Sequence, residues 1–177
     1  MIRIHDKDFK EFISAAALQK RIKEMAQEID LHYVGLPPPL FIAILNGSFI
    51  FAADLVRACT MACEISFVKI QSYEGLESTG KVASIIGLTA DITGRDLVIV
   101  EDIVDTGRTL EAFLAEIRTK NPKSVKVATL LLKPDALTVP FKPDFCGFVI
   151  PNKFVVGYGL DYNELGRNVP EIFQLAE

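Results

Sequence analysis

The sequence has few cysteines, few histidines and no excess of basic residues. Its three cysteines, Cys59, Cys63 and Cys146, are an odd number without the spacing of a secreted disulfide scaffold. Structural zinc usually needs four clustered ligands, and the two histidines, His5 and His32, lie well away from Cys59 and Cys63. The net charge is -4, so we expect neither nucleic acid nor an anionic membrane as a partner. The three cysteines are expected to be reduced thiols in a cytoplasmic protein.

Long apolar runs and a secretion signal are also missing. The first residues, MIRIHDKDFKEF, are too polar for a signal peptide, and the longest apolar runs are far shorter than a bilayer span. A length of 177 residues suits one domain with a sizeable core. Half of the residues are hydrophobic and 24% are charged, which argues against disorder. We therefore expect one domain over residues 1–177, without a membrane partner.

Short apolar runs alternate with helical patterns along the chain. Strands are predicted over 40–45, 64–71, 82–87, 97–100, 125–132, 145–150 and 155–157, and helices over 15–30, 49–58 and 109–120. Strands that are apolar throughout are typical of a parallel sheet covered by helices on both faces. Binding sites in such sheets lie beyond the carboxyl ends of the strands. Three strands end in polar loops there: 46–48, 101–109 and 133–135.

The stretch LVIVEDIVDTGRTL, residues 97–110, combines a phosphate-binding pattern with carboxylates. Asp105 to Thr109 would open a helix, whose free N–H groups attract anions. Gly107 would let a ligand approach the backbone closely, and Thr106 and Thr109 supply hydroxyl groups. Taken alone, this pattern is more typical of an ordinary capped helix start.

Two further acids, Glu101 and Asp102, precede this helix start, where the predicted strand ends. Such a pair often only adds surface charge. Carboxylates also accept hydrogen bonds from ribose hydroxyls and help to hold Mg²⁺. Next to a phosphate-binding loop, the pair indicates a sugar phosphate, with the phosphate on the N–H groups and the sugar diol on the acids.

The sequence VIVEDIVDTGRTL closely resembles the phosphoribosyl-pyrophosphate motif of type I phosphoribosyltransferases. LLLKP at 130–134 and IPNKFVVGYGLDYNELGR at 150–167 resemble the purine-binding half of the hypoxanthine-guanine members, and SYEGLESTG at 72–80 resembles their mobile flap. The resemblance implies an α/β fold with a mainly parallel sheet flanked by helices and a flap at about 72–82. It also implies a small hood subdomain from parts of the N- and C-terminal segments, and a homodimer or homotetramer.

The implied reaction moves the phosphoribosyl group from phosphoribosyl pyrophosphate to N9 of hypoxanthine or guanine, with Mg²⁺. A xanthine-preferring enzyme is the nearest alternative. A regulator that senses the sugar pyrophosphate and binds nucleic acid is disfavoured by the acidic charge and by the presence of Asp105, Lys133 and Asp161. A Rossmann-type dinucleotide binder is disfavoured because no G-x-G-x-x-G follows a strand.

The resemblance assigns a role to each matching residue. Asp105 would be the general base near N7 of the purine, although it could merely cap the helix. Glu101 and Asp102 would face the ribose hydroxyls and the metal. The 5′-phosphate would be held by Thr106, Gly107, Arg108 and Thr109.

The remaining roles concern the purine and the pyrophosphate. Lys133 would reach the 6-oxygen and so disfavour adenine. Phe154 would stack on the purine, and Val155 would contribute backbone groups to the base edge. Asp161 would ligate Mg²⁺, and Arg167 would meet the pyrophosphate charge. Without the resemblance, a core aromatic and two solvated charges would explain Phe154, Asp161 and Arg167 as well. The flap contains Ser72 and Tyr73.

One loop departs from the family pattern. Many members have Leu-Lys-Gly-Gly after the first core strand, whereas this chain has Leu45-Asn46-Gly47-Ser48. Family members often carry a non-proline cis peptide there, which aims a backbone N–H at pyrophosphate. Asn46 could keep that backbone role together with Gly47, but it lacks the charge of the usual lysine.

Overall fold

The computed structural model describes residues 1–70 and 85–176, which form two sheets and three α-helices. The strands are β1 (Ile2–Ile4), β2 (Lys7–Ile13), β3 (Leu40–Leu45), β4 (Glu64–Ile70), β5 (Ile85–Ile86), β6 (Asp96–Val104), β7 (Ser124–Leu132), β8 (Phe145–Val149), β9 (Val155–Val156) and β10 (Ile172–Leu175). The α-helices are α1 (Ala15–His32), α2 (Phe49–Ala58) and α3 (Arg108–Thr119), and a 3₁₀ turn covers Pro134–Ala136. None of these helices is long and apolar enough to cross a membrane.

The larger sheet has six strands in the order β5-β4-β3-β6-β7-β8. The five strands from β4 to β8 along this order run parallel, and β5 is added antiparallel at the edge. The predicted α/β fold with a mainly parallel, helix-flanked sheet is confirmed. Because β3, β6 and β7 are neighbours and parallel, the loops after them emerge at the same edge.

Helices bury both faces of this sheet, which explains why its strands read as continuous apolar runs. Phe41 packs in a cluster with α1 and α2, and its neighbour Ile42 packs in a second cluster with α3. Successive strand side chains point to opposite faces, so both must be apolar here. Ser14 is the N-cap of α1, since its hydroxyl accepts a hydrogen bond from the backbone N–H of Ala17.

The smaller sheet is antiparallel, in the order β1-β2-β10-β9, and joins the beginning of the chain to its end. The sequence patterns predict no strand over β1, β2 or β10, and this prediction was wrong. Only Phe9 and Ile13 are buried in the charged sequence of β2, so local pattern reveals little, and the pairing with β10 spans most of the chain. That residues 1–177 form one domain with a hood stays a prediction.

One predicted boundary near the site needs correction. The strand predicted to end at residue 100 continues as β6 to Val104, because the pairing with β7 extends to Val104 and Leu132. Glu101 and Asp102 therefore lie within the strand and not at an exposed strand end. The predicted flap, with Ser72 and Tyr73, lies outside the described residues.

Candidate active site

The carboxyl ends of β3 and β6 enclose a pocket with a volume of about 270 Å³. The polar or glycine residues among its lining are Glu101, Asp105, Thr106, Gly107 and Thr109. The remaining lining residues are Ile44, Leu45, Ile70, Ile103, Val104 and Leu110. Five of the seven site residues predicted from one stretch of sequence thus line one cavity, whereas the described lining includes neither Asp102 nor Arg108.

Gly107 begins α3 in a left-handed conformation, with φ of +78°. A Cβ atom at this position would lie 2.9 Å from Val139, so both conformation and space favour glycine. The Gly107 carbonyl accepts the Glu111 N–H, while the N–H groups of the first turn have no partner within the helix. These donors, with the hydroxyl-bearing Thr106 and Thr109, make this end of the pocket suited to an anion.

Glu101 and Asp102 form a pair of acids on β6, of which Asp102 is buried and Glu101 is partly buried. Among the described residues, the Glu101 Oε2 atom is buried without a hydrogen-bond partner. Burial and the adjacent Asp102 charge raise the pKa of Glu101 well above its ordinary value. Burial also raises the pKa of Asp102, against the opposing effects of the side-chain hydrogen bond with Glu101, of the Ile103 N–H at 2.9 Å and of the Arg167 charge. An unsatisfied buried acceptor is costly, which favours a ligand that brings hydroxyl donors or a cation.

Asp105 and Lys133 form an ion pair at the ends of β6 and β7. Lys133 Nζ donates to Asp105 Oδ2 at 2.9 Å. The lysine side chain is 7% exposed and the aspartate side chain is 49% exposed. The Lys133 backbone N–H also donates to the Val104 carbonyl at 3.0 Å, which fixes the start of this loop. The pair places a cationic donor and a carboxylate acceptor side by side at the pocket.

The loop after β3 packs tightly on the acids. The Leu45–Asn46 peptide bond is cis. A Cβ atom on Gly47 would lie 1.5 Å from Asp102 Oδ2, so no other residue fits there without displacement of the carboxylate. The other side of this loop contacts Gly159. A Cβ atom on Gly159 would lie only 2.0 Å from the Gly47 carbonyl oxygen. Two glycines therefore let this loop touch both β6 and the segment after β9.

Asp161 and Arg167 pair with each other across the turn after β9. Arg167 Nη2 lies 2.8 Å from Asp161 Oδ1, and Nη1 donates to the Gly159 carbonyl at 2.8 Å. The second Asp161 oxygen accepts the Glu164 N–H at 2.8 Å. Over residues 1–70 and 85–176, no three acidic, cysteine or histidine side chains form a group that could hold a metal ion. Mg²⁺ usually takes only one or two protein carboxylates and keeps water or phosphate oxygens, so a pre-formed cage is not required.

Val155 begins β9 of the smaller sheet, and Phe154 directly precedes it. The Phe154 ring is 46% exposed and stands edge-on to Tyr162, with ring centres 5.8 Å apart. Val155 is buried and pairs with Gln174 of β10. Neither residue is among those that line the pocket in the described part of the chain.

Several site features were not predicted from sequence. Ile103 lines the pocket, and the alternation from Glu101 to Ile103 and Asp105 along β6 would have indicated it. The Arg108 side chain donates to the Thr138 hydroxyl at 2.9 Å, a contact between α3 and a distant loop that no local pattern shows.

Comparison with known proteins agrees with this geometry. The model of the phosphoribosyl transferase domain family matches residues 10–163. The hypoxanthine-guanine phosphoribosyltransferase of Aquifex aeolicus is 38% identical over the full length of both chains. A crystal structure of a hypoxanthine-guanine phosphoribosyltransferase from Bacillus anthracis, 38% identical, superposes with a TM-score of 0.88 over 96% of this chain and 100% of that one. A structure of the Trypanosoma cruzi hypoxanthine phosphoribosyl transferase, 35% identical, superposes with a TM-score of 0.89 over 99% of this chain and 95% of that one.

The parallel sheet, the phosphate-binding helix start and the paired acids thus define a phosphoribosyltransferase. Within that class, the chain belongs to the hypoxanthine-guanine phosphoribosyltransferase family, whose members are transferases.

Proposed function

We propose that this protein transfers the phosphoribosyl group from phosphoribosyl pyrophosphate to N9 of hypoxanthine or guanine and releases pyrophosphate, a purine salvage reaction. The observation that carries this proposal is that anion-binding N–H groups, carboxylates and a lysine lie close together at one end of the parallel sheet. Free helix N–H groups, the acid pair and the Asp105–Lys133 ion pair lie where neighbouring parallel strands end. A sugar phosphate and a 6-oxopurine together require all three.

In this proposal the purine displaces the ion pair. Lys133 donates to the 6-oxygen, an acceptor that adenine replaces with an amino group. Asp105 accepts a ring proton from N7 as N9 attacks the sugar carbon. Phe154 stacks on the base, and the backbone of Val155 meets the base edge.

The sugar phosphate occupies the α3 end of the pocket. Its 5′-phosphate accepts hydrogen bonds from the segment formed by Thr106, Gly107, Arg108 and Thr109, with the Arg108 side chain directed to Thr138. Glu101 and Asp102 accept the ribose hydroxyls, which would satisfy the orphaned Glu101 oxygen.

Mg²⁺ is the cofactor that this chemistry needs, since it neutralises negative charge on the departing pyrophosphate. Asp161, with Glu101 and Asp102 near the ribose, would hold it. Arg167 would contact the pyrophosphate, and the backbone of Asn46 and Gly47 would donate to it. The flap residues Ser72 and Tyr73 would cover the site and exclude water from the reactive sugar cation.

We further propose a cytoplasmic homodimer or homotetramer that binds neither nucleic acid nor membrane. The acidic composition supports the absence of nucleic acid and membrane partners. Oligomerisation is supported by the T. cruzi relative, which was studied for its oligomeric state.

The deciding experiment measures pyrophosphate release from phosphoribosyl pyrophosphate and Mg²⁺ with hypoxanthine, guanine, xanthine or adenine. We expect turnover with hypoxanthine or guanine and none with adenine. Preference for xanthine would make the protein a xanthine-specific enzyme. Binding of the sugar pyrophosphate without turnover of any base would identify it as a sensor.

A further inference from the structure

Tyr158 is a buried tyrosine in an unusual backbone conformation beside the candidate site. Its φ is +49°, between Gly157 at +98° and Gly159 at +103°. A side chain in the left-handed region costs about 1 kcal/mol or more relative to glycine, and only 4% of Tyr158 is exposed. A glycine would fit this backbone conformation better, which indicates that the tyrosine side chain contributes stabilising contacts of its own.

The phenol is anchored to α2. Its OH donates to Asp54 Oδ2 at 2.5 Å, and Gln19 of α1 donates to the same oxygen at 2.6 Å. Burial and the neighbouring Asp54 carboxylate raise the pKa of Tyr158, so the phenol keeps its proton and remains a donor. Asp54 lies on the helix that directly follows the loop of Asn46 and Gly47.

The next residue, Gly159, connects this anchor to the site. Its N–H donates to the Arg167 carbonyl at 2.9 Å, and its own carbonyl accepts from the Arg167 side chain at 2.8 Å. Its Cα lies against the Gly47 carbonyl with no room for a Cβ atom. Arg167 in turn holds Asp161 at 2.8 Å. Tyr158 therefore directly precedes the residue at which Arg167 and the Gly47 loop meet.

We propose that Tyr158 is a positioning residue: its hydrogen bond to Asp54 holds residues 157–167 against the loop of Gly47, and so sets Arg167 and Asp161 for the magnesium-pyrophosphate end of the sugar substrate. This inference rests on the proposed function and goes beyond it, because neither Tyr158 nor Asp54 touches the reacting groups. It predicts a larger effect on the sugar pyrophosphate than on the purine. Lys133 lies outside the anchored segment, and Phe154 contacts that segment through the edge-on ring of Tyr162.

The test compares Tyr158→Phe with Tyr33→Phe, a matched control because Tyr33 is also 4% exposed and packs near the opposite edge of the sheet, beside Asp96 and Ser124. We expect Tyr158→Phe to raise the KM for phosphoribosyl pyrophosphate, and its Kd by calorimetry with Mg²⁺, about tenfold, because even a small displacement of Arg167 and Asp161 weakens their contacts with the substrate. The KM for hypoxanthine should change less than about twofold, as should every constant of the control. Equal increases in both substrate constants, or an unchanged sugar-pyrophosphate constant, would overturn the proposal.

A second pair of variants addresses the partner. Asp54→Asn keeps an oxygen acceptor for the phenol and should retain near wild-type binding, whereas Asp54→Ala should reproduce the Tyr158→Phe defect. The double variant Tyr158→Phe/Asp54→Ala should be no worse than either single variant, because both remove one interaction. Additive losses would refute the shared anchor. Failure of the proposed function is distinct, since it would appear as a wild-type protein that turns over no purine.

Discussion

Asp105 forms an ion pair with the buried Lys133. It is also the proposed proton acceptor. Removal of a carboxylate that only pairs a buried lysine would destabilise the protein and weaken binding of both substrates. Removal of a general base would slow the chemical step instead, typically by 100-fold or more. The two roles therefore predict different kinetic results.

We expect Asp105→Asn to lower kcat at least about 100-fold, while the Kd for phosphoribosyl pyrophosphate changes only a fewfold. The amide keeps an oxygen acceptor for Lys133 but cannot take a proton. Steady-state kinetics and calorimetry measure the two effects. Asp135→Asn, at an exposed carboxylate in the following 3₁₀ turn, is the control. Parallel loss of binding and turnover would show that Asp105 is structural.

Phe154 offers a second residue-scale test, because a ring that is half exposed has an open face for a base. We expect Phe154→Ala to raise the KM for hypoxanthine about three- to tenfold, in line with the energy of aromatic stacking, and to raise that for phosphoribosyl pyrophosphate less. Phe12→Ala removes a similarly exposed ring from the same sheet and should alter neither constant. A larger effect on the sugar pyrophosphate would exclude Phe154 from the purine site.

At the scale of elements, three segments converge on Asp102. β6 carries the carboxylate, the loop after β3 packs Gly47 against it, and the turn after β9 packs Gly159 against Gly47. None of these close approaches tolerates a Cβ atom. The acid pair is thus positioned by backbone proximity as much as by its own strand.

Gly47→Ala should therefore displace Asp102 and weaken binding of phosphoribosyl pyrophosphate at least about tenfold, since even small displacements of positioned groups reduce rates strongly. Gly35→Ala is the control. It also introduces a side chain at positive φ, +74°, but into open space, and should cost about 1 kcal/mol of stability without loss of binding. Thermal unfolding and calorimetry measure both effects. If Gly47→Ala binds phosphoribosyl pyrophosphate as well as wild type does, binding does not depend on the exact position of the Asp102 carboxylate.

At the scale of the whole molecule, charges at the edge of the sheet opposite the site contribute to global stability. Asp96 begins β6, and its carboxylate accepts from Ser124 at 2.5 Å and from Lys123 at 2.9 Å. These contacts join the amino ends of β6 and β7. The Ser124 hydrogen bond and then the Lys123 charge lower the pKa of Asp96 from its ordinary value of 3.8, although burial opposes them.

A lowered folded-state pKa means that the ionised form stabilises the fold. The contribution is fully present above pH 3.8 and is lost as the pH falls through the folded-state pKa. We expect Asp96→Asn to lower the free energy of unfolding by about 1 kcal/mol at pH 7, and the difference from wild type to shrink at lower pH. Urea unfolding at pH 7, 5 and 3 measures this. If the difference in the free energy of unfolding between Asp96→Asn and wild type stays the same at pH 3, the negative charge of Asp96 does not stabilise the fold.

The fold class and several residues that line the pocket could be predicted from the sequence alone. Continuous apolar runs such as 40–45 predict buried parallel strands, because both faces of each strand must be covered. The stretch from Glu101 to Thr109 carries acids, glycine and hydroxyls on one local strand and helix start. Its main features are therefore readable from neighbours in sequence, and seven of its nine residues line the pocket.

Only the tertiary structure decided which distant groups meet. The smaller sheet pairs the beginning of the chain with its end, and the Asp105–Lys133 pair joins two strands. The contact of Gly47 with Asp102 and Gly159, and the Tyr158–Asp54 hydrogen bond, join segments far apart in the chain. Local patterns encode which face of an element is buried. They do not encode the register or the loop packing that brings two such faces together, and those depend on the summed packing of the whole chain.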